Sequence, residues 1–232
     1  GVHCYGTPCD VQAIKKIADA HSISVIYDAA HAFGVADVGG SILRHGDVSV
    51  VSFHATKVFH TGEGGAIWGK KELRDKIFHS HNFGHDGPVN FHGLGINGKM
   101  SELHAAMGLS VIPHMPHIFS ERKRVVDTYL SLLNAERLQF LKIRSNTEWN
   151  YSYFPVVFET EEVLLNVMSS LKEKEINPRR YFYPSLNTIE YVNGPKMEVS
   201  ESIASRVLCL PLYAGLKTEQ VEMICSIVNK SL

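Results

Sequence analysis

The amino-acid sequence predicts an α/β protein, in which an open, mostly parallel sheet with helices is followed by a smaller α+β domain. Three observations support this prediction. Short apolar runs rich in Val and Ile are typical of buried strands. Stretches with an apolar residue at every third or fourth position are typical of helices. The arrangement of these elements changes after about Asn134, which indicates a second domain.

The first part of the chain contains one predicted helix and three predicted strands. Residues 10–21 have helical spacing, and the runs at 24–27, 48–53 and 66–68 are strand-like. Asp28 follows the first of these runs directly. Because ligands of open α/β sheets gather at the carboxyl ends of the strands, residues that follow these runs are candidates for a site.

Helices then dominate up to about residue 133. Residues 70–79 are predicted to be helical, and so are a segment capped by Ser101 and a segment from about Ser120 to Leu133, with Pro113 and Pro116 interrupting or bending the chain between them. Residues 82–98 are rich in Gly, His and Asn and predict a long loop. A loop of that length inside a compact domain is often functional.

The second part of the chain predicts a small α+β domain. A strand is expected over residues 151–158, and helices over 161–173, near 200–208 and over 218–229. We therefore predict a first domain at residues 1–134 and a second at 135–232.

Composition excludes several classes of protein. A net charge of −1 over 232 residues gives no electrostatic case for binding nucleic acid or an anionic membrane. No apolar run has the length of a membrane span. The four cysteines are too few for a disulfide scaffold and form no CxxC pair, so we expect reduced thiols and a cytoplasmic protein.

Two residues at predicted strand ends could carry chemistry, although each has an ordinary alternative. Asp28 could be a site carboxylate, but Asp is also common in turns. Lys57 follows the run at 48–53 and precedes a glycine-rich turn. A partly desolvated lysine there would have a lowered pKa and attack carbonyls, whereas a solvated lysine would be inert. Taken alone, each residue fits the ordinary alternative better.

The segments around these residues change that assessment. The stretch SFHATKVFHTGEGGA, preceded by YDAAHAFG, resembles the DegT/DnrJ/EryC1/StrS family of sugar aminotransferases, and so do GLGINGKMSELHAAMG, RRYFYPSL and SRVLCLPLYAGL. The resemblance covers essentially the whole chain. It implies a type I transferase fold dependent on pyridoxal 5'-phosphate, of which this chain would be the C-terminal part of the large domain followed by the small domain.

The resemblance implies a role for each of five residues. Lys57 would form the Schiff base with pyridoxal 5'-phosphate and later move protons, and Asp28 would pair with the pyridinium nitrogen. His31 would lie against the ring of the cofactor, Ser52 would hydrogen-bond its phosphate, and Asn97 would reach the phosphate of a neighbouring subunit. The ordinary alternatives are a packed loop histidine, a strand-end hydroxyl and a turn asparagine.

Other candidate residues have weaker support. The family commonly has Arg where Lys99 stands, and we assign Lys99 no role because Lys cannot make a bidentate contact. A metal site is not favoured, since no HExxH or paired Cys/His spacing accompanies the histidines of the loop region, which are His79, His81, His85 and His92. The aromatic run 181–183 fits packing in the small domain, and a contact with the sugar is the alternative.

The resemblance implies transamination of a nucleotide-linked keto-deoxysugar, with dTDP-4-keto-6-deoxyhexose as the favoured substrate and an amino acid such as glutamate as the donor. Such enzymes usually form homodimers with shared active sites. Two alternatives stay open, a pyridoxal-phosphate-dependent deoxysugar dehydratase and a non-catalytic binding or assembly module. Family members have a further N-terminal portion with a phosphate cradle, so we expect the 232 residues alone to bind the cofactor weakly.

Overall fold

The computed structural model describes residues 1–37 and 39–232, which form two compact units. The first unit comprises Gly1–Met115 and Ile143–Ser152, and the second comprises Pro116–Lys142 and Tyr153–Leu232. The domain boundary proposed after residue 134 stays a prediction.

The first unit contains three helices, seven strands and four short 3-10 turns among its described residues. The helices are α1 (Val11–His21), α2 (Arg74–Ser80) and α3 (Glu102–Val111). The strands are β1 (Ile26–Asp28), β2 (Ala36–Asp37), β3 (Gly40–Ser41), β4 (Val48–Ser52), β5 (Gly65–Gly69), β6 (His85–Asp86) and β7 (Asn90–Phe91). The 3-10 turns are Cys4–Gly6, Ile42–Arg44, Lys71–Leu73 and Ile112–His114.

The main sheet of this unit has the order β1-β4-β5. β1 runs parallel to β4, with Asp28 opposite Val50, and β5 runs antiparallel to β4, with Ile67 opposite Val50. The first residues of the chain extend the sheet, since Val2 forms a parallel bridge with Asp28. The other strands form two small antiparallel pairs, β2 with β3 and β6 with β7.

The two faces of the main sheet differ in burial. On one face, Tyr27, Ser49 and Val51 are buried, and Val11 of α1 belongs to the same hydrophobic core. On the other face Ile26, Val50 and Ile67 are exposed. Because side chains alternate along a strand, Asp28 and Ser52 belong to this exposed face.

Helix α1 begins and ends with recognisable caps. The side chain of Asp10 accepts a hydrogen bond from the backbone N–H of Ala13, which satisfies one of the free donors of the first turn. Ser22 ends the helix in the left-handed conformation, with a φ of 52°. The helix therefore occupies the predicted residues.

The second unit contains four helices and one antiparallel sheet. The helices are α4 (Met115–Leu132), α5 (Glu161–Lys172), α6 (Glu198–Arg206) and α7 (Thr218–Lys230), and a 3-10 turn covers Leu186–Thr188. The strands β8 (Gln139–Phe140), β9 (Phe154–Val157) and β10 (Val207–Leu210) have the order β10-β9-β8. All four side chains of β10 are buried, and α5 and α7 bury their apolar faces.

Several elements differ from the sequence prediction in their bounds. β9 begins at Phe154 rather than at residue 151, and α2 begins at Arg74, after a 3-10 turn, rather than at residue 70. β1 begins at Ile26, two residues later than predicted, because the N–H of Val25 donates to the carboxylate of Asp47 at 2.6 Å. α4 begins at Met115 rather than near Ser120, since Pro116 in the first turn needs no N–H partner. The helix expected near 200–208 ends at Arg206, where β10 begins.

The α/β fold class is confirmed. Among the helices formed by residues 1–37 and 39–232, none is both long and apolar enough to cross a membrane.

Candidate active site

Asp28 is the last residue of β1, and both its N–H and its carbonyl oxygen bond to the first residues of the chain. Its N–H donates to the carbonyl oxygen of Gly1 at 2.8 Å, and its carbonyl oxygen accepts from the N–H of His3 at 2.9 Å. The carboxylate accepts a hydrogen bond of 3.0 Å from the N–H of Ala30 and is exposed to solvent. A fixed backbone therefore presents an accessible carboxylate at the end of the strand.

Ser52 ends the neighbouring strand, on the same face of the sheet as Asp28. Asp28 lies opposite Val50, and Ser52 is two residues farther along β4. A strand spacing and a two-residue rise of ordinary size place the Cα atoms of Asp28 and Ser52 about 8 Å apart.

Lys57 lies in the loop that joins β4 to β5, and the base of this loop is closed by backbone hydrogen bonds. The N–H of Phe53 donates to the carbonyl oxygen of Gly64, and the N–H of Thr61 donates to that of Phe53, both at 2.9 Å. The N–H of Lys57 donates to the carbonyl oxygen of His54 at 2.9 Å. The lysine is half-buried, so this closed loop holds it near the end of β4.

Three phenylalanines connect the segment after Asp28 to the loop of Lys57. The rings of Phe33 and Phe59 stack with centroids 4.3 Å apart, and Phe53 packs edge-on against Phe59 at 4.9 Å. Phe59 is buried. Aromatic pairs at such distances contribute roughly 0.5–1.5 kcal/mol beyond the burial of their area. The cluster therefore fixes the Lys57 loop relative to the segment that follows β1.

Two glycines allow close packing around this loop. Gly64 has a φ of +147°, and a Cβ there would lie 2.7 Å from both Met100 Cε and Thr61 Oγ1. Gly108 of α3 is placed so that a Cβ would lie 2.9 Å from Thr61 Cγ2. A side chain at either position would crowd Thr61, and at Gly64 it would also meet Met100 and strain the backbone.

His31 is buried, and the hydrogen bond to its ring assigns the tautomer. The N–H of Tyr5 donates to Nδ1 of His31 at 3.0 Å, so the proton of the neutral ring sits on Nε2. The rings of Tyr5 and His31 are nearly parallel, with centroids 6.0 Å apart. The contacts with Tyr5 are those of a packed loop histidine. A role of His31 in binding a cofactor stays a prediction.

Asn150 and Trp149 hold the segments that carry His31. The amide of Asn150 donates to the carbonyl oxygens of His31 and Phe33, each at 2.8 Å, and the indole N–H of Trp149 donates to that of Tyr5 at 2.9 Å. Sequence reasoning missed these two residues, because they follow His31 by more than a hundred positions.

Asn97 lies on the segment between α2 and α3, and it contacts other residues of the same segment. It forms a backbone bridge with Asn82, and its side-chain oxygen accepts a hydrogen bond of 2.6 Å from Nζ of Lys99. Lys99 also lies over the ring of Phe83, 4.0 Å from the centroid. The side chain of Asn97 is exposed, and its phosphate-binding role stays a prediction.

The histidines of the loop region pack against one another. His79 and His92 stack with centroids 3.7 Å apart, and the ring of His85 lies 5.8 Å from that of Phe83. Within the part of the chain that the structure describes, no group of three or more His, Cys, Asp or Glu residues is placed to hold a metal ion.

In the second unit, the aromatic run at 181–183 is packed by neighbouring rings and guanidinium groups. Tyr181 lies 5.3 Å from the ring of Tyr153, and the guanidinium of Arg179 lies 4.1 Å from the centroid of Tyr181. Burial raises the pKa of Tyr181 to about 12, so its hydroxyl stays protonated near neutral pH.

His3 lies beside β1 and packs on Tyr27, on the buried face of the main sheet. Its ring stacks on Tyr27 at 4.7 Å, and its Nδ1 accepts a hydrogen bond of 3.0 Å from the N–H of Cys9. Burial is the main cause that lowers the pKa of His3 to about 4. His3 is therefore a neutral, apolar-packed support for β1 at neutral pH.

The donor set of this site fits pyridoxal phosphate. An exposed carboxylate is the type of group that pairs with the ring nitrogen, a hydroxyl is a donor for the phosphate, and an amine on the loop that follows is the nucleophile that the aldehyde requires. These are Asp28, Ser52 and Lys57. Their positions at the carboxyl ends of parallel strands match the place where ligands bind open α/β sheets.

Comparison with known proteins identifies the fold and the family of the chain. The structure of DesI in the presence of its TDP-sugar product matches 99% of this chain with a TM-score of 0.90 and 31% sequence identity. The fold is that of the type I pyridoxal-phosphate transferases. The family model described as "DegT/DnrJ/EryC1/StrS aminotransferase family" matches residues 1–229. The chain belongs to this family, as its motifs implied.

Two relatives show how much of a family member this chain represents. It is 45% identical over 237 residues to the dTDP-4-amino-4,6-dideoxy-D-glucose transaminase of Shigella dysenteriae, and the match covers 99% of the chain and 65% of that protein. The Escherichia coli protein of the same name is 36% identical, with 98% of the chain and 64% of that protein covered. The chain thus spans just under two thirds of the length of these relatives.

Proposed function

We propose that this chain carries the lysine, ring partner and phosphate hydroxyl of a pyridoxal-phosphate-dependent aminotransferase that acts on a nucleotide-linked keto-deoxysugar. The observation that carries the proposal is the placement of Asp28 and Ser52 on one face at adjacent strand ends, with Lys57 on the closed loop that follows. When bound, pyridoxal phosphate supplies an electron sink for the carbon that loses or gains a proton.

The residues of the chain would divide the work as follows. The ε-amine of Lys57 would condense with the aldehyde of the cofactor with loss of water, and once free again it would hold and move the proton of the substrate carbon. The carboxylate of Asp28 holds a proton on the ring nitrogen, and the hydroxyl of Ser52 binds the phosphate. His31, whose backbone is fixed by Asn150, would lie against the ring of the cofactor.

The favoured substrate is a dTDP-4-keto-6-deoxyhexose, and the favoured amino donor is glutamate. Support for the sugar comes from the two relatives at 45% and 36% identity, which are both named dTDP-4-amino-4,6-dideoxy-D-glucose transaminase. The deoxysugar dehydratases of the family have His in place of the lysine, so Lys57 disfavours that alternative.

We further propose that the protein forms a homodimer with shared active sites. The loop between α2 and α3, and α3 itself, expose large apolar side chains, including Leu94, Ile96, Leu103 and Leu109. Leu94 is 99% exposed and Leu103 is 84% exposed. An apolar surface of this kind is typical of an interface. Asn97 lies within it, so a second copy covering this surface would receive the amide of Asn97 at its own phosphate site.

A cytoplasmic location is part of the same proposal. The thiols of Cys4, Cys9 and Cys225 form no disulfide bond, which fits a reducing compartment.

Product analysis tests the proposed reaction. The protein encoded by the complete open reading frame that contains this chain (the complete protein below) would be incubated with pyridoxal phosphate, nitrogen-labelled glutamate and dTDP-4-keto-6-deoxyglucose. We expect a sugar product that carries the labelled nitrogen. A product that has lost a hydroxyl group without gaining nitrogen would support the dehydratase. No product with any keto-sugar, together with no cofactor binding, would support the binding or assembly module.

A further inference from the structure

The short segment between Ser52 and Lys57 is organised by the backbone of His54. The N–H of His54 donates to Oγ of Ser52 at 3.3 Å, and its carbonyl oxygen accepts from the N–H of Lys57 at 2.9 Å. His54 is thus hydrogen-bonded to both residues that are proposed to hold the cofactor, Ser52 at its phosphate and Lys57 at its aldehyde carbon.

The ring of His54 also stabilises this turn. Its Nδ1 accepts a hydrogen bond of 3.2 Å from the N–H of Thr56 and lies 2.9 Å from Thr56 Oγ1. Because Nδ1 accepts an N–H, the pattern assigns the ring proton to Nε2 in the neutral form. The ring therefore supplies an acceptor for the N–H of Thr56, the residue that directly precedes Lys57.

The carboxylate of Glu63 lies on the other side of the ring. Its Oε1 is 3.9 Å from Nε2 of His54, and the two side chains are 73% and 47% exposed. Ion pairs this exposed are screened by solvent, so Glu63 contributes little to the turn. Of the two contacts of the ring, the one at Nδ1 is therefore the one that stabilises the turn of residues 54–57.

The rest of the loop is held independently of His54. Phe53 is bonded to Gly64 and Thr61 through the backbone, and Phe59 is buried against Phe33 and Phe53. Loss of the His54 ring should therefore leave the loop attached while the turn that presents Lys57 becomes loose.

We propose that His54 is a positioning residue, whose Nδ1 holds the turn that sets the Lys57 amine at a fixed place relative to the Ser52 hydroxyl. Since Ser52 and Lys57 would bind the phosphate and the aldehyde carbon of one rigid molecule, their separation controls how tightly pyridoxal phosphate is held. This inference rests on the proposed function of the site.

Three substitutions of His54 in the complete protein test the inference. His54→Ala removes the acceptor, His54→Asn keeps an acceptor where Nδ1 was, and His54→Gln moves it to the place of Nε2. His117→Ala, an exposed histidine in the second unit, is the matched control. The readouts are the dissociation constant of pyridoxal phosphate and the pH midpoint of the Schiff-base absorbance band.

We expect His54→Ala and His54→Gln to weaken cofactor binding by about tenfold, the effect of one lost hydrogen bond, and to shift the pH midpoint. His54→Asn should restore most of both values, and His117→Ala should match the wild type. If the Ala variant does not fold, the comparison of Asn with Gln still decides the role of Nδ1.

Two results would overturn this inference but not the proposed function. One is a His54→Ala variant with the dissociation constant and the pH midpoint of the wild type. The other is equal impairment of cofactor binding in the His54→Asn and His54→Gln variants. Absence of the absorbance band in the wild type would overturn the proposed function together with the inference.

Discussion

The amide nitrogen of Asn150 donates a hydrogen bond of 2.8 Å to the carbonyl oxygen of His31, although 119 positions separate the two residues. The same amide donates to the carbonyl oxygen of Phe33, and the side-chain oxygen of Asn150 accepts from the N–H of Ser152. Asn150 is buried, so it holds the segment after Asp28 through bonds that water does not replace.

Replacing Asn150 with Ala should destabilise the protein by about 2–3 kcal/mol, because two carbonyl oxygens and one N–H would lose a buried partner. Urea unfolding of the two proteins measures the difference. Asn146→Ala, at an exposed position in the same segment, is the control and should change the free energy of unfolding by less than about 0.5 kcal/mol. Equal effects of the two substitutions would show that the hydrogen bonds of Asn150 contribute no stability.

Gly64→Ala should destabilise the protein more than Gly93→Ala. Both glycines have strongly positive φ, +147° and +140°, so each substitution introduces similar backbone strain. A Cβ at Gly64 would also meet Met100 and Thr61, whereas nothing lies within 4 Å of one at Gly93. The midpoints of thermal unfolding should therefore differ, with Gly64→Ala the lower. Similar midpoints would mean that the packing of Met100 against the Lys57 loop is not tight.

The main elements of the fold could be predicted from local sequence patterns. The residues that hold the candidate site in place could not. The apolar runs around residues 26 and 48 and the spacing in α1 follow from strand and helix periodicity. Asn150, by contrast, acts through a contact between distant parts of the chain, and local sequence carries no signal for it. The Phe33–Phe53–Phe59 cluster was missed for the same reason, since each residue alone fits an ordinary core position.

The strand β10 shows a different limit of sequence reasoning. The residues VLCL follow directly on the helical pattern of α6, and a short apolar run is compatible with either structure. Pairing with β9 stabilises these residues as a strand, because all four side chains are then buried in the sheet of the second unit.

Stability should fall between pH 7 and pH 5 because of His3. Burial lowers the pKa of His3 from 6.5 to about 4. Between these two pH values the unfolded state binds a proton that the folded state does not. The stabilising contribution of neutral His3 is fully present above the pKa that His3 has in the unfolded state. It is lost as the pH falls toward the pKa that His3 has in the folded state. The expected loss from pH 7 to pH 5 is about 2 kcal/mol.

Urea unfolding of the wild type and of His3→Asn at both pH values checks this. The variant has no titrating ring, so its free energy of unfolding should fall less over the same interval. Identical pH dependence in the two proteins would show that His3 is not the group responsible.

Asp28→Asn should lower kcat of the complete protein by about 100-fold to 1000-fold, the effect of removing one pre-organised electrostatic partner in an active site. An amide cannot hold the proton on the ring nitrogen as a carboxylate does. Steady-state kinetics with the keto-sugar and glutamate measure the change, with Asp75→Asn on the exposed face of α2 as the control. A kcat close to that of the wild type would remove Asp28 from the site.

The position of the Schiff base tests the central claim most directly. The complete protein would be incubated with pyridoxal phosphate and reduced with borohydride, and the modified lysine would be located by peptide mass spectrometry. We expect the cofactor on Lys57, and we expect Lys57→Ala to lack both the modification and the absorbance band. A reduced adduct on another lysine, or an unchanged band in Lys57→Ala, would contradict the account.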